Sequence, residues 1–364
     1  MKTQLNILGI VSTRDFANFT RRATLEALSG EVDNLDILFY TGIKNIHKKK
    51  QSIPSIRSRK YHFWVPDKFK HWNSLSFLEH NLRKIKWKSL FKQYNVIFFN
   101  DPNQAWLLPY TNKNQKLVYL IRDPNILQNP AIKPFEKQLI EKVDLVLATS
   151  YNLTHHYIPK YYGMEPDHVH FWPNSVDLNV WDINKVEKRT PDKPVVGVAG
   201  NFGKNRTDYD LLDYITDKRP DYRFEIAGKI NPENNPEFWE KLLKKKNVTY
   251  FGFIPQEQLP QTVASWNVGL ITDKINEYTS YMHHNKVYQY LAMGVPVVSL
   301  RIHEDYKDLY PNVQLADNHE SYLEEIDRLA EKSYNQIFQN ECTEIALKKT
   351  SQERVKKFIS IVKS

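Results

Sequence analysis

The chain of 364 residues has a single cysteine, Cys342. No disulfide framework can form, and a reducing, cytoplasmic setting fits best. Long apolar runs are missing as well. No stretch approaches the roughly 18 consecutive apolar residues of a spanning helix. The expectation is a protein that is soluble or lies peripherally on the inner face of the cell membrane. Residues 1–11 hold one lysine and a short apolar run, without the length or cleavage pattern of a signal peptide. Metal-ligand spacing is absent, and no metal or other cofactor is expected. His155-His156 and His283-His284 are adjacent pairs, which point apart on a helix. There is no Gly-x-Ser-x-Gly nucleophile turn, no internal repeat and no low-complexity segment.

Acid is scarce in one place. Residues 44–92 carry 14 Lys/Arg against Asp67 and Glu79, a charge of +12 in a chain whose net charge is +9. Phe63, Trp64, Phe69, Trp72, Phe77, Trp87 and Phe91 are interleaved with those cations. Three readings are open: a solvated face over core aromatics, a nucleic-acid surface, or an interfacial surface for anionic lipid headgroups.

What is present suits two globular domains. Hydrophobic residues make up 41% and charged residues 26%, enough core and too little charge for disorder. At roughly 100–200 residues per domain, the length suggests two. Short apolar runs at 5–11, 35–40, 61–64, 96–99, 117–121, 145–149 and 169–172 predict strands. Helices are expected at 17–29 and 76–94, and helical or loop segments at 104–110 and 134–142. Polar residues 177–194, with two prolines, predict a linker. The alternation then restarts, with strands at 195–199, 222–227, 248–251, 267–271 and 297–298, and a further one at 313–315. Helices are expected at 208–217, 237–245 and 256–264. Tyr322, Ile326 and Leu329, then Val355, Phe358, Ile359 and Val362, mark amphipathic helices in the tail. The fold class is therefore α/β, with two tandem doubly wound parallel sheets. Domain boundaries are placed at 1–176 and 195–345, and 346–364 is expected as a helix packing back on the first domain.

Ligands of open α/β sheets sit beyond the carboxyl ends of strands. Three such ends are polar here: Asn100-Asp101 after Phe99, Arg122-Asp123 after Ile121, and Ser150 after Thr149; Asp15, Asp101 and Asp123 could then face one cleft. Asp-Pro at 101–102 and 123–124 is also ordinary turn chemistry. The loop Gly200-Asn201-Phe202-Gly203-Lys204 is not a Walker A loop, because its spacing is short and Asn205 stands where Ser or Thr must hold magnesium. It lacks the dinucleotide glycine pattern too. Its glycines still let backbone N–H groups approach an anion, and Lys204 and Arg206 add charge. A short helix after His284-Asn285-Lys286, closed by Gly294, offers a second phosphate position at its N-terminus.

Three stretches resemble the GT-B glycosyltransferases, and most closely the large nucleotide-sugar transferase group called family 4, especially its cell-envelope and exopolysaccharide members. VHFWPNSVD at 169–177 is similar to that group's strand ending in Pro-Asn-Gly-Val-Asp, with Ser175 for Gly. VTYFGFI at 248–254, followed by Leu259 and WNVGLI at 266–271, resembles its V-x-F-x-G…D-V-G-L run, with Asn267 for Asp. NKVYQYLAMGVPVVS at 285–299 resembles its N-K…E-y-l-A-x-G-x-P-V-V-s unit. The likeness spans the chain and is specific over the last 180 or so residues. It implies two Rossmann-like domains facing a cleft and a nucleotide sugar, UDP-linked first of all, held mainly by the second domain. It implies an acceptor that is lipid-linked or a glycan, at an anionic membrane surface, with no nucleic-acid partner.

The resemblance also implies residues. Gly200, Asn201, Phe202, Gly203, Lys204 and Arg206 fall at the diphosphate, and Gly228 and Lys229 are further donor-binding candidates. Phe253 and Ile254 fall at the base. Tyr281, His283, His284, Asn285, Lys286 and Gln289 cover the sugar, phosphates and ribose. Tyr281 and Gln289 replace two glutamates, the second of which grips the ribose hydroxyls in that group. The departure admits another function, a catalytically silent GT-B scaffold that binds glycan or a protein. Arg122-Asp123 replaces His-Asp, and an arginine there suits a donor carboxylate such as a uronic acid's. Asp123 is the first candidate for an inverting base, with Asp101 and Asp15 behind it. A retaining reaction would need no strong base.

Overall fold

Buried apolar runs alternate with helices to build two all-parallel sheets. The computed structural model describes residues 3–12, 19–42, 56–63, 73–164, 166–187, 191–302 and 304–364. They fall into two compact units, one formed by Met1–Pro173 with Ser351–Ser364 and the other by Asn174–Thr350.

The first unit contains β1 (Thr3–Ser12), α1 (Phe19–Glu31), β2 (Val32–Gly42), β3 (Arg57–Phe63), α2 (Asn73–Phe91), β4 (Val96–Phe99), β5 (Lys116–Ile121), α3 (Lys133–Lys142), β6 (Leu145–Ala148) and β7 (Val169–Phe171). The seven strands lie in the order β3-β2-β1-β4-β5-β6-β7. β4 and β6 are buried at every position, as parallel strands covered on both faces require. The second unit contains β8 (Val195–Phe202), α4 (Tyr209–Lys218), β9 (Arg223–Ile230), α5 (Pro236–Leu243), β10 (Val248–Gly252), β11 (Val268–Ile271), α6 (Asn285–Ala292), β12 (Val297–Leu300), β13 (Val313–Ala316), α7 (His319–Lys332) and α8 (Gln336–Leu347). Its six strands lie in the order β10-β9-β8-β11-β12-β13. Alternate side chains of β8 serve separate cores: Val196, Val198 and Phe202 enter one, Val195 and Ala199 the other.

The last helix, α9 (Ser351–Lys363), packs in the first unit. Val355, Phe358 and Val362 join its core. The Arg354 guanidinium stacks 3.7 Å above the Trp172 ring, whose indole N–H donates to the Arg354 carbonyl at 2.9 Å.

Three expectations change or narrow. The stretch 177–194 is not a free linker, because Trp181 is buried and Leu178, Val180, Ile183 and Val186 pack around it in the second unit. The segment 104–110, expected as helix or loop, is part of a 3-10 helix, Pro102–Tyr110, with Pro109 lacking the N–H an α-helical turn would use. Residues 256–264 yield only a five-residue helix, Leu259–Val263.

Much of the basic segment, including 43–55 and 64–72, lies outside the described residues. Within α2, Trp87 and Phe91 are core residues, meeting edge to face at 6.3 Å. Leu82, Lys84, Ile85, Lys86 and Lys88 are exposed. No described helix is long and apolar enough to cross a membrane.

Candidate functional site

The strand order of the second sheet runs outward from β8 to β10, then returns to place β11 on the other side of β8. The switch point therefore lies between β8 and β11, and the crevice there is where such sheets bind ligands. The loop after β8 is fastened to the loop after β11. Asp208 N–H donates to the Thr272 carbonyl at 2.8 Å and Lys274 N–H to the Arg206 carbonyl at 2.7 Å.

Two glycines shape the floor. Gly200 and Gly228 are register partners on β8 and β9. Gly228 has φ +137°, and a Cβ there would fall 1.8 Å from the Gly200 carbonyl oxygen, so no side chain fits. A Cβ on Gly200 would fall 2.9 Å from the Lys286 Nζ. The ammonium thus occupies the space above the end of β8 that a side chain would otherwise fill.

Lys286 is brought there by α6. Val287, Tyr290 and Leu291 give that helix a buried face. Gly294, at φ +71°, closes it, and its N–H donates to the Leu291 carbonyl at 2.9 Å. Tyr290 pins the helix to the sheet: its hydroxyl accepts from Ala199 N–H at 2.8 Å, and its ring lies where a Cβ on Gly269 would be. The N-cap residue, His284, makes no capping hydrogen bond with its side chain. The N–H groups and dipole of α6 add partial positive charge beside Lys286. Burial, and next the Arg206 charge, push the Lys286 ammonium down from 10.5 to about 8.

Behind the lysine lies a charged triad. Arg206 Nε donates to the Asp273 carboxylate, 3.0 Å from Oδ2, and Arg206 Nη2 lies 3.2 Å from His284 Nδ1. An arginine can only donate, so Nδ1 accepts and the ring proton sits on Nε2, 3.3 Å from Asp273 Oδ2. Asp273 neutralises one cation, and Lys286 with the helix terminus remains to face an anion. The strand-end signal that singled out Asp101 and Asp123 would also have found Asp273, two residues beyond β11.

The remaining implied residues divide. Asn201 and Lys204 are exposed, and Gly203 and Gln289 are partly so. Gln289 follows Asn285 by one helical turn, on the less buried side of α6. The Lys229 ammonium lies 4.9 Å above the exposed Phe253 ring, and Ile254 is half-buried beside it in sequence. Tyr281 and His283 are buried, with the His283 carbonyl accepting from Asn174 Nδ2 at 2.8 Å. Phe202 departs from expectation. β8 continues past Ala199 to Phe202, so alternation turns that ring inward, 5.6 Å from Trp239.

In the first unit the switch point lies between β1 and β4. Asp15 lies outside the described residues. The Asp101 carboxylate caps the 3-10 helix, accepting from Asn103 N–H at 2.8 Å. Arg122 Nη2 donates to the Asn100 carbonyl at 3.1 Å, and burial lowers this guanidinium to about 10, against the pull of Asp123 and Asp101. Asp123 is half-buried next to it. Among the described residues no group of three His, Cys, Asp or Glu is placed to hold a metal.

Comparison with known proteins agrees with this architecture. Residues 206–360 match the family model described as Glycosyl transferase-like. TuaH of Bacillus subtilis (strain 168), named for a glycosyltransferase of teichuronic acid biosynthesis, is 23% identical over 221 residues. That match covers 59% of this chain and 52% of TuaH, so the likeness spans about half the length of the curated relative. Among solved structures, HepE of Anabaena in complex with UDP has a TM-score of 0.71 at 13% identity, covering 98% of this chain and 100% of HepE. Sucrose-phosphate synthase of Thermosynechococcus elongatus has a TM-score of 0.70 at 16% identity, covering 99% and 96% of the two chains. Residues 206–360 thus resemble a glycosyl transferase-like domain, and the likeness to the solved structures shows that the chain has the GT-B fold.

Proposed function

We propose that the protein is a glycosyltransferase. It moves a sugar from a nucleoside diphosphate donor, UDP before others, to a hydroxyl of a lipid-linked or polysaccharide acceptor in cell-surface glycan synthesis. The observation that carries this reading is the Lys286 ammonium above Gly200, at the start of α6. A nucleoside diphosphate supplies the charge and the oxygen acceptors that such a position lacks. The UDP named with HepE and the glycan named for TuaH support the donor and acceptor classes.

In this reading the second unit holds the donor and the first the acceptor. Gly200, Gly203 and Lys204 offer N–H groups and charge to the phosphates. Phe253 offers a face to the base, and Gln289 a hydrogen bond to ribose. Asp123 takes the acceptor proton if the reaction inverts. A catalytically silent scaffold is the second reading, favoured by Gln289 in place of a ribose-binding glutamate.

A thermal-shift screen across UDP-, GDP-, ADP- and dTDP-sugars tests the donor. At one hundred times Kd, ligand stabilisation is about 2.7 kcal/mol, or roughly 5–10 °C for a domain of this size. The UDP-sugars are expected to stand out. A flat response to all four sets would overturn the reading, and binding without nucleotide release would favour the scaffold.

The exposed face of α2 supports a membrane-bound acceptor. Leu82 and Ile85 project among Lys84, Lys86 and Lys88, a pattern that suits anionic headgroups. At about 1 kcal/mol per cation near such a surface, changing the three lysines to glutamine should weaken vesicle binding roughly 100-fold at low salt. Turnover of a soluble acceptor should not change. Unaltered sedimentation with phosphatidylglycerol vesicles would remove the membrane role of this face.

A further inference from the structure

The first unit buries a carboxylate that forms no ion pair among the described residues. Glu136, on α3, is fully buried. Its Oε1 accepts from the Tyr119 hydroxyl and from Asn125 Nδ2, both at 2.7 Å. Its Oε2 accepts from the hydroxyls of Tyr157 at 2.9 Å and Tyr162 at 2.6 Å. An ionised carboxylate offers about four acceptor positions, and four neutral donors from three separate segments occupy them. Burial still raises the Glu136 carboxyl above its ordinary value. A helix that needed only packing would carry leucine there at lower cost.

The donors show what the cage holds. Asn125 opens the turn that follows Arg122, Asp123 and Pro124. The Tyr157 oxygen that donates to Glu136 also accepts from Ile126 N–H at 3.1 Å. At the other end of the turn, the Thr149 hydroxyl donates to the Arg122 carbonyl at 3.1 Å. The turn bearing Asp123 is therefore tied on both sides, on one by the end of β6 and on the other by Glu136. Tyr157 lies on a π-helical stretch, Leu153–Tyr157, whose wider turn is a recurrent feature near functional sites.

We propose that Glu136 is a positioning residue which, through Asn125 and Tyr157, fixes the Arg122–Ile126 turn and with it the Asp123 carboxylate. This rests on the glycosyltransferase reading for its effect on rate, but not for the tie itself. Misplacement of a reacting group by about 1 Å can cost 100-fold, so the cage would act on turnover rather than on donor binding, which belongs to the second unit.

The test uses Asn125→Ala and Tyr157→Phe, which cut the two ties while Tyr119 and Tyr162 still hold Glu136. Amide hydrogen exchange is read over residues 122–127, alongside kcat, donor KM and Tm. Exchange in that turn is expected to rise at least tenfold in both variants, with the protection of β5 and β6 intact. kcat should fall 10- to 100-fold with donor KM within twofold. Unchanged exchange in the turn would overturn the tie, whether or not the wild-type protein transfers sugar. Faster exchange with full kcat would overturn the catalytic consequence. Loss of exchange protection across the whole unit would reduce Glu136 to a core residue. A wild-type chain that transfers no sugar would overturn the glycosyltransferase reading alone, leaving the exchange result to decide the tie.

Discussion

Replacing Lys286 by alanine is expected to raise the Kd of a nucleoside diphosphate by roughly 10- to 150-fold. A hydrogen bond to a charged group is worth about 1.5–3 kcal/mol, and each 1.4 kcal/mol is tenfold. Lys286 should sit at the strong end of that range. Asp273 already occupies the Arg206 guanidinium, leaving Lys286 and the start of α6 to meet the anion. The pH dependence gives an independent check. Burial puts the free ammonium near 8, below the ordinary 10.5. Below pH 8 the lysine is charged and binding needs no proton. Above it, binding must take one up, so affinity should fall as pH rises, by up to tenfold per unit. The same shift acts on folding with a known sign. The native state disfavours the charge, so this group's stability penalty is full below pH 8 and is relieved between 8 and 10.5. Titration calorimetry at pH 7 and pH 9 reads the binding effect. Lys286→Arg keeps its charge at both values and should flatten the pH dependence even if its absolute affinity drops. Unchanged binding in Lys286→Ala would remove the phosphate role.

Much of this was visible in the sequence because it rests on short-range rules. Each parallel strand is a run of buried apolar residues, and such runs stand out wherever polar loops bound them. The same rule marks the strand ends, where Asp101 and Asp123 lie. The α6 unit was legible in full, since Val287, Tyr290, Leu291 and Gly294 carry its face and its stop within eight positions. Errors arose where a boundary moved by a few residues. Ending β8 at Ala199 left Phe202 in a ligand loop, whereas two further pleats turn it into the core. The polar run 177–194 read as a linker because its apolar residues are spaced among charges, and only the fold gathers them around Trp181.

Long-range convergence was not legible. Glu136 lies in the string KPFEKQLIEK, where a charged residue on an amphipathic helix reads as solvent-facing. Its burial depends on tyrosines from β5 and from residues 157 and 162, and no local pattern announces that meeting. Asp273 is similar in kind. Its place after a buried strand was a usable signal, but its role with Arg206 and His284 comes from the return of α6 to the same crevice.

Asp123→Asn is the second change expected to have a large effect. If the reaction inverts, transfer should fall 10²- to 10⁴-fold, the usual worth of a general base. kcat and kcat/KM should fall together, with donor KM held, because the carboxylate acts only as the acceptor hydroxyl loses its proton. The substitution is conservative where it stands. The turn's described hydrogen bonds run through Arg122, Asn125 and Ile126, not through the Asp123 carboxylate. Asparagine keeps the side-chain shape before Pro124, so Tm should change little. Asp101→Ala is the control: that carboxylate caps the 3-10 helix through Asn103, and its loss should cost stability of about 1 kcal/mol with a smaller effect on rate. Activity near wild type in Asp123→Asn would remove the base. Transfer would then have to proceed by positioning and by stabilisation of the departing diphosphate, which moves the weight of catalysis back to Lys286 and makes the two variants a test of mechanism when measured side by side.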